Sequence, residues 1–549
     1  MMLRPGWIGA SGATPDLVLV NGLVSTVARS RDVPQHAEAL AIRGGRVQAL
    51  GSSAEIAALA GSSTKVVDVE QRRVLPGLID SHVHFVRAGL TWDDETHWEH
   101  FHDLGACLCA VQEAASGRPP GTWIRVLGGW HPGQLAEGRG PAREDLDRAA
   151  PDHPVVVQFM YEWGLLNTRA VEKLGLTREV ADRISATAFD RDAHGVPTGV
   201  LRGMTALRWM YSQLPPPSFA DQVSSTAALS REFSRMGITG LIDGGGVNTG
   251  PEVYDPVYEV WRRSELTTRV RLMIHASARG AETEEYTGYL RYVQPRFGDE
   301  VLQVVGVGEI ILYAVHDSES RSPDLSEDIL RQLGSIFERF AASRWPLQIH
   351  AMRPETVLAV LDLWEAVNRR HSIQELRWSL VHAECLDKPM IERLKALHCG
   401  VLCPSLFRFA GDTMISKWGR DRMASAPPLR AVMDAQVPLG GGTDAMRVAS
   451  YNPFEALHWY ITGLTATGEP TRDEENRLTR QEALELYTRG GAWFSFEETE
   501  RGSLEPGHLA DVIVLDKDYL SIPEDEIPTI GVDLTLLGGK AVWTSPAFS

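Results

Sequence analysis

Five residues of the types that bind divalent metal ions follow short apolar segments of this sequence. They are His82 and His84 in PGLIDSHVH, His350 in PLQIHA, His382 in LRWSLVHAE and Asp444 in VPLGGGTD. Residues i and i+2 of a β-strand point to the same side, so the imidazoles of the first pair can face one point. Imidazole nitrogens and carboxylate oxygens are suitable ligands for Zn²⁺ and similar ions. The pattern therefore predicts one metal site built from several strands.

The middle of the chain alternates apolar, strand-like segments with segments of helical periodicity. We predict strands at residues 75–80, 237–243, 268–275, 301–312, 346–351, 376–383, 400–405 and 437–443. Buried parallel strands read as near-continuous apolar runs, and eight strand–helix units are typical of an α/β fold of the (β/α)8 TIM-like barrel type. Such barrels carry their active sites at the carboxyl ends of the strands, where all five candidates fall. A doubly wound sheet is the alternative, but no Gly-rich dinucleotide turn follows an early strand.

Both ends of the chain contain short strands without intervening helices. DLVLVNGLVSTV and ALAIRGGRVQALG near the start, and ADVIVLD and DLTLLGGKAVWTS near the end, are rich in β-branched residues and Gly or Asn turns. We predict a small β-sandwich from residues 1–74 and 487–549, and a barrel from residues 75–486. The interval after the first barrel strand is too long for one helix, so we predict an inserted subdomain or lid at about residues 92–218.

The composition is that of a globular protein and argues against some partners. Of the 549 residues, 54 are basic and 72 are acidic, giving a net charge of −18. This charge argues against nucleic acid or an anionic membrane as the partner. No apolar run approaches the roughly 18–20 residues of a transmembrane helix, and the start does not resemble a signal peptide. Five irregularly spaced cysteines form no disulfide framework, so we expect a cytoplasmic protein.

Several motifs along nearly the whole chain are shared with a known family. They are VLPGLIDSHVHF, GVPTGVLRG, GITGLIDGGG, IHA, VHAE, GGTDA and GSLEPGHLADVIVLD. With these motifs the chain resembles the metal-dependent amidohydrolase superfamily, specifically the amidohydrolase-3 branch with its N-substituted formamide deformylase-like hydrolases. The resemblance implies a divalent metal bound by His82, His84, His350, His382 and Asp444. It also implies that Asp444 transfers protons and that His382 is a catalytic group for the oxyanion.

Two segments depart from the family pattern. Many relatives carry a lysine at the end of the fourth strand, followed by an Asp, whereas VGVGEIILYAVHD has Glu309 and Tyr313 at those places. A glutamate at this strand is a metal ligand in other branches of the superfamily, so Glu309 is a predicted ligand of one ion or a bridge between two. The alternative is a structural, salt-bridged glutamate. In FMYEWGLLNTRA the triplet MYE replaces a DGH-like triplet, so we expect a different substrate preference.

Aromatic and polar residues near the predicted mouth of the barrel are candidate substrate contacts. Tyr313 and His316 follow the fourth strand, and Trp130, His131 and Glu162 lie in the predicted insertion. An aromatic wall with a few polar groups is typical of a small-molecule pocket. The alternative for each residue is ordinary packing.

These residues predict a metal-dependent hydrolase of a non-peptide C–N bond in a small amide or cyclic amide. One or two ions would lower the pKa of a bound water towards about 7, and Asp444 would carry its proton to the leaving nitrogen. We expect zinc, with manganese, cobalt or iron as alternatives, and a homo-oligomer, most simply a dimer. Alternative functions are deamination, decarboxylation or another hydrolysis at the same site, or a non-catalytic binding protein on the same fold.

Overall fold

Eight parallel strands in the middle of the chain carry the predicted metal ligands. Their bounds are Leu78–Val83, Ile238–Asp243, Arg269–Ile274, Leu302–Val307, Gln348–Ala351, Ser379–His382, Gly400–Pro404 and Leu439–Gly442. We number them barrel strands 1 to 8. Strands 1 to 4 pair in parallel in this order, as do strands 5 to 8. All eight expected strands are thus present in this computed structural model, which describes residues 13–246 and 250–548.

Backbone contacts join these two groups of four strands at both seams. Between strands 4 and 5, Val307 forms a parallel bridge with Leu347. Between strands 8 and 1, the Asp444 N–H donates to the His82 carbonyl oxygen at 2.9 Å. The strands therefore follow one another around a closed ring, and the predicted mixed α/β class is confirmed.

Helices connect consecutive barrel strands and bury one apolar face. The helix Glu327–Ala342 buries Leu333, Ile336, Phe337 and Phe340, which recur at helical spacing. The other helices associated with the barrel are Phe85–Gly89, Phe219–Arg235, Asp255–Arg262, Glu282–Tyr292, Pro354–Asn368, Lys388–Leu397, Phe407–Trp418, Arg420–Met423, Leu429–Asp434, Pro453–Thr462, Arg480–Glu485 and Gly491–Phe494.

The first barrel strand begins later than the sequence indicated. The predicted strand 75–80 covers the end of Arg73–Pro76, which belongs to another sheet, and the start of barrel strand 1 at Leu78. Gly77 separates the two, and a Cβ atom there would lie 2.1 Å from the Thr239 hydroxyl oxygen. The apolar run VLPGLI continues across this change of sheet, so the hydrophobic pattern could not reveal it.

Two sheets are formed by the ends of the chain. The six-stranded sheet has the order Lys540–Thr544, Val532–Leu537, Val512–Leu515, Arg73–Pro76, Leu23–Ser25, His36–Ala37. The four-stranded sheet has the order Arg46–Gly51, Ala39–Arg43, Leu17–Val20, Lys65–Asp68, with the helix Ser53–Ala57 beside it. One hydrophobic cluster contains residues of both sheets, among them Leu19, Leu40, Val74, Val514 and Leu534. A sheet with strands from both chain ends was predicted and is observed.

A five-stranded sheet lies between the first two barrel strands in the sequence. Its order is Phe189–Arg191, Pro197–Arg202, Trp163–Leu166, Val155–Phe159, Ile124–Leu127. The accompanying helices are Leu104–Ser116, Arg143–Ala149, Thr168–Leu174, Arg178–Ile184 and Gly203–Gln213. We call this part the inserted sheet. The domain boundaries expected from the sequence stay predictions.

The remaining elements add little to the site. A short strand, Phe297–Gly298, pairs antiparallel with barrel strand 4. All five cysteines are free thiols. In the described part of the chain, no helix combines the length and the apolar character that crossing a lipid bilayer requires.

Candidate metal centre

The six predicted metal ligands are buried and lie at the carboxyl ends of the barrel strands. Their side chains come from strands 1, 5 and 6 and from the first or second residue after strands 1, 4 and 8. No ligand is more than 7% exposed. Five of the six, all except Asp444, form two overlapping groups of three, and the donor atoms within each group lie within 4.8 Å of one another. The first group is His82, His84 and Glu309, and the second is Glu309, His350 and His382.

Glu309 is the member that both groups share. Its Oε2 atom lies 3.4 Å from His82 Nε2, 3.5 Å from His350 Nδ1 and 4.0 Å from His382 Nε2. Its Oε1 atom lies 3.6 Å from His84 Nε2. Two donors bound to one tetrahedral ion at about 2.1 Å are themselves about 3.4 Å apart. The observed spacing therefore suits donors that share cations.

Asp444 faces the same centre from barrel strand 8. Its Oδ1 atom lies 3.0 Å from His84 Nε2 and 3.8 Å from His82 Nε2, and its Oδ2 atom lies 3.9 Å from His382 Nε2. Asp444 and His382 both have left-handed backbone, with φ of 61° and 72°. Such conformations cost about 1–3 kcal/mol each and cluster at functional sites.

Hydrogen bonds orient two of the imidazole rings towards the centre. The Nδ1–H of His84 donates to the Gly245 carbonyl oxygen at 2.6 Å, which turns its Nε2 to the carboxylates. The Nε2–H of His350 donates to the Asp317 carbonyl oxygen at 2.9 Å, which turns its Nδ1 to Glu309. Histidines that bind metals commonly donate from the other ring nitrogen in this way.

Two acidic residues next to the ligands in sequence have different contacts. Asp80 accepts hydrogen bonds from the backbone N–H of His82 at 3.1 Å and from the Thr443 hydroxyl at 2.7 Å. Burial raises the pKa of Asp80 to about 6. Glu384 Oε1 lies 3.4 Å from His382 Nδ1. Asp80 therefore fixes the backbone of strands 1 and 8, and Glu384 is the residue beside an imidazole ring.

Asp317 supports His350, and the sequence did not single it out. Its Oδ1 lies 3.2 Å from His350 Nε2. Its carboxylate also accepts hydrogen bonds from the Met352 N–H at 3.0 Å and the Thr356 hydroxyl at 2.5 Å. Burial opposes the charge, but the hydrogen bonds from His350 and Thr356 outweigh it and lower the pKa of Asp317 to about 2. In the sequence, Asp317 is marked only by its place in YAVHD, which belongs to the segment whose residues differ from the family motif.

Several polar atoms at the centre lack hydrogen-bond partners among the described residues. These atoms are both ring nitrogens of His82, Glu309 Oε2, His350 Nδ1 and His382 Nδ1. Buried polar atoms are otherwise almost always paired. Burial opposes protonation of His82, yet the charges of Glu309 and Asp444 raise its pKa to about 9. A cation between these residues would supply a partner for His82 Nε2, Glu309 Oε2 and His350 Nδ1 and would offset the negative charge, so the residues fit a divalent metal.

Tyr313 and His316 lie beside the metal centre, on the loop that joins Glu309 to Asp317. The ring centroids of His316 and His350 are 4.2 Å apart. Burial and the neighbouring charge of His350 lower the pKa of His316 to about 3. Tyr313 is also buried. Their predicted contact with substrate stays a prediction.

Trp130, His131 and Glu162 lie in loops of the inserted sheet. The Trp130 indole N–H donates to the Gln158 carbonyl oxygen at 2.9 Å, and the side chain is fully buried. The ring centroids of His131 and Phe409, in the helix Phe407–Trp418 after barrel strand 7, are 5.5 Å apart. Glu162 is exposed. Within residues 13–246 and 250–548 no ion pair joins these three to the six ligands, and their substrate role stays a prediction.

Comparisons with known proteins found relatives along nearly the whole chain. The chain is 24% identical to N-substituted formamide deformylase of Arthrobacter pascens, over 95% of this chain and 97% of that protein. An uncharacterised metal-dependent hydrolase from Pyrococcus horikoshii OT3 has a TM-score of 0.65 at 20% identity, covering 93% of this chain and 99% of that one. Atrazine chlorohydrolase TrzN from Arthrobacter aurescens TC1, complexed with zinc, has a TM-score of 0.55 at 15% identity, covering 96% and 95%. Residues 65–543 match the amidohydrolase family, and the chain belongs to its amidohydrolase-3 branch.

Proposed function

We propose that this protein hydrolyses a non-peptide carbon–nitrogen bond of a small amide, with divalent metal that His82, His84, Glu309, His350 and His382 would hold. The observation that carries the proposal is that two groups of three buried donors share the Glu309 carboxylate. Pairs of metal ions about 3.5–4 Å apart are typical of hydrolytic sites. Zinc is the ion we expect, because imidazole and carboxylate donors suit it and the similar TrzN structure holds zinc.

Asp444 is the proposed proton carrier. The bound ions would supply a lowered pKa for a water molecule and polarisation of the scissile carbonyl. Asp444 lies within 3.0–3.9 Å of ring nitrogens of His84 and His382, so its carboxylate faces the place where water and substrate would meet. It accepts the proton of the water and then donates it to the leaving nitrogen. One carboxylate can serve both steps because it is deprotonated again at the end of each turnover.

His382 completes the catalytic side of the proposed site. Its Nε2 lies 4.0 Å from Glu309 and 3.9 Å from Asp444, the longest contacts in the cluster. It therefore lies near both Glu309 and the proposed proton carrier. In this position it would hold a metal ion together with Glu309 and His350, or would donate to the oxygen that gains charge during attack on the carbonyl.

The inserted sheet is proposed as a lid on a (β/α)8 barrel. Arg447, three residues after Asp444, donates two hydrogen bonds to Glu95 of the insertion at 2.7 and 2.8 Å. Both side chains are buried. A Cβ atom on Gly128 of the inserted sheet would lie 2.5 Å from the Arg447 carbonyl oxygen. These contacts support a cover that excludes water from the mouth.

The test is substrate profiling with protein freed of metal and reconstituted with Zn²⁺, Mn²⁺ or Co²⁺. The panel contains N-formyl amines, N-acyl amines and cyclic amides, with an aminopurine as a deamination substrate. We expect metal-dependent release of amine from at least one amide. Release of ammonia alone would reassign the reaction to deamination. Less than about one-tenth equivalent of metal per chain, with no turnover, would favour the non-catalytic alternative.

A further inference from the structure

Two arginine side chains without acidic partners contact Tyr313 beside the metal centre, and a third, Arg208, contributes positive charge at Arg321. Arg208 lies on the helix Gly203–Gln213 of the inserted sheet, Arg279 on the loop after barrel strand 3, and Arg321 on the loop after barrel strand 4. In the part of the chain that the structure describes, none of the three forms an ion pair with Asp or Glu.

A tight turn holds Arg321 beside the metal centre. Ser318 and Arg321 exchange two backbone hydrogen bonds, at 2.9 and 3.1 Å. The Nη2–H of Arg321 donates to the Tyr313 carbonyl oxygen at 2.6 Å. Asp317, directly before this turn, contacts the ligand His350. The same loop therefore supports a ligand and presents a guanidinium group whose other N–H donors have no protein acceptor among the described residues.

Arg279 approaches the same tyrosine from the neighbouring loop. Its guanidinium carbon lies 5.3 Å from the centroid of the Tyr313 ring. Partial burial and the positive charges of Arg279 and Arg208 lower the pKa of Arg321, and Asp317 offsets only part of this effect. Like charges held close together repel each other, and a bound anion would relieve that repulsion.

A buried histidine lies between these arginines and the metal ligands. The His316 ring packs against His350, with ring centroids 4.2 Å apart. His316 Nδ1 is buried and has no hydrogen-bond partner among the described residues. An unpaired buried polar atom is costly unless a partner is supplied. The loop thus offers a polar ring atom as well as positive charge on the side of the centre next to His350.

We propose that Arg279 and Arg321, which both contact Tyr313, bind a carboxylate of the substrate while its amide lies at the metal centre. This inference rests on the proposed function and narrows its substrate class to N-acyl or N-formyl compounds that carry a free carboxylate. The planar guanidinium fork matches a carboxylate in two parallel hydrogen bonds. A local cluster of positive charge also attracts an anionic substrate that the net charge of the molecule repels.

The test compares matched amides with and without a carboxylate. Hippurate is paired with hippuramide, and N-formylglycine with N-formylglycinamide. Binding to the zinc-reconstituted protein is measured by calorimetry, and hydrolysis by release of the amine product. We expect the acid of at least one pair to bind about tenfold or more tightly than its amide, because hydrogen bonds between charged partners contribute this much. Added salt should weaken the binding of the acid only.

Variants identify the residues responsible. Arg279→Gln and Arg321→Gln should each weaken the acid about tenfold, raise its KM more than they change kcat, and leave the neutral amide unaffected. The matched control is Arg331→Gln, which removes an exposed arginine paired with Asp328 on the helix Glu327–Ala342. Equal melting temperatures would show that the variants are folded.

The outcomes separate this inference from the proposed function. Equal affinity for acid and amide in wild-type protein overturns the carboxylate site. The carboxylate site is also overturned if the double variant of Arg279 and Arg321 binds the acid as tightly as the wild type does. In that case the carboxylate of the substrate binds the metal ions instead. Cleavage of amides without preference for the acids leaves the proposed function standing. Binding of the acids through the arginines without any cleavage supports the carboxylate site and removes the hydrolase assignment.

Discussion

At the scale of single residues, Glu309 is the carboxylate that belongs to both donor groups. Its two carboxylate oxygens face histidines of both ligand groups. Glu309→Gln removes the charge with little change of shape. We expect the metal content to fall from two ions per chain to one or none, measured by elemental analysis after dialysis. The control is Glu338→Gln, an exposed residue paired with Arg370. Unchanged metal content would return Glu309 to a structural role.

The proton carrier can be separated from the ligands. Asp444→Asn keeps an oxygen near the ion but cannot accept a proton. We expect this variant to retain metal and to lose turnover by about 10²–10⁴-fold, the usual contribution of general acid–base catalysis. Metal content and kcat are measured on the same preparation. A rate near that of the wild type would show that another group carries the proton.

Residues with a regular place in the sequence pattern could be predicted, and isolated loop residues could not. His82, His84, His350, His382 and Asp444 were found because each follows an apolar run, and the structure brings them together. Glu309 was found only because it departs from a family motif. Asp317, Arg279 and Arg321 lie in loops without periodicity, so no pattern connects them with the strands they approach.

At the scale of elements, the loop after barrel strand 4 is the part on which the centre depends most. Asp317 in this loop holds His350 through its carboxylate and its carbonyl oxygen. Asp317→Asn should lower metal affinity about 10–100-fold, the usual effect of losing a group that orients a ligand. Competition with a chelator measures it. Asp324→Asn, an exposed change on the same loop, should have no effect. Equal affinity in both variants would contradict the assigned support.

Strand positions were predictable to within a few residues, but the junction between sheets was not. The predicted fourth strand, 301–312, ends at Val307 in the structure, and Glu309 follows it. Apolar residues continue through Ile310, Ile311 and Leu312, which are buried in the loop. Hydrophobicity reports burial, and here burial continues after the hydrogen-bonded strand has ended.

At the scale of the whole molecule, buried ion pairs join the barrel to the sheet of the chain ends. Arg269 on barrel strand 3 donates to both oxygens of Asp511 at 2.8 and 3.0 Å, and neither side chain is more than 4% exposed. Asp511→Asn leaves a buried arginine without its counter-charge. We expect it to lower the free energy of unfolding by about 3 kcal/mol, measured by urea denaturation. The control is Asp362→Asn, which removes the exposed partner of Arg393. If Asp511→Asn lowers the free energy of unfolding no more than this control does, the expectation is contradicted.

The closed ring and the sheet from both chain ends were predictable because each repeats a simple pattern. The inserted sheet was recognised only as an interval too long for one helix. Its arrangement depends on contacts such as Arg447 with Glu95, which are 352 residues apart in sequence. A single sequence contains no signal for such a pairing.

The proposed metal centre at Glu309 is tested most directly by a crystal structure of metal-reconstituted protein. Anomalous scattering at the zinc edge locates the ions, and elemental analysis of the same sample counts them. We predict two ions per chain, about 3.5–4 Å apart, with Glu309 between them, His82 and His84 on one ion, and His350 and His382 on the other. A single ion away from Glu309, or less than about one-tenth equivalent of metal, would contradict this prediction.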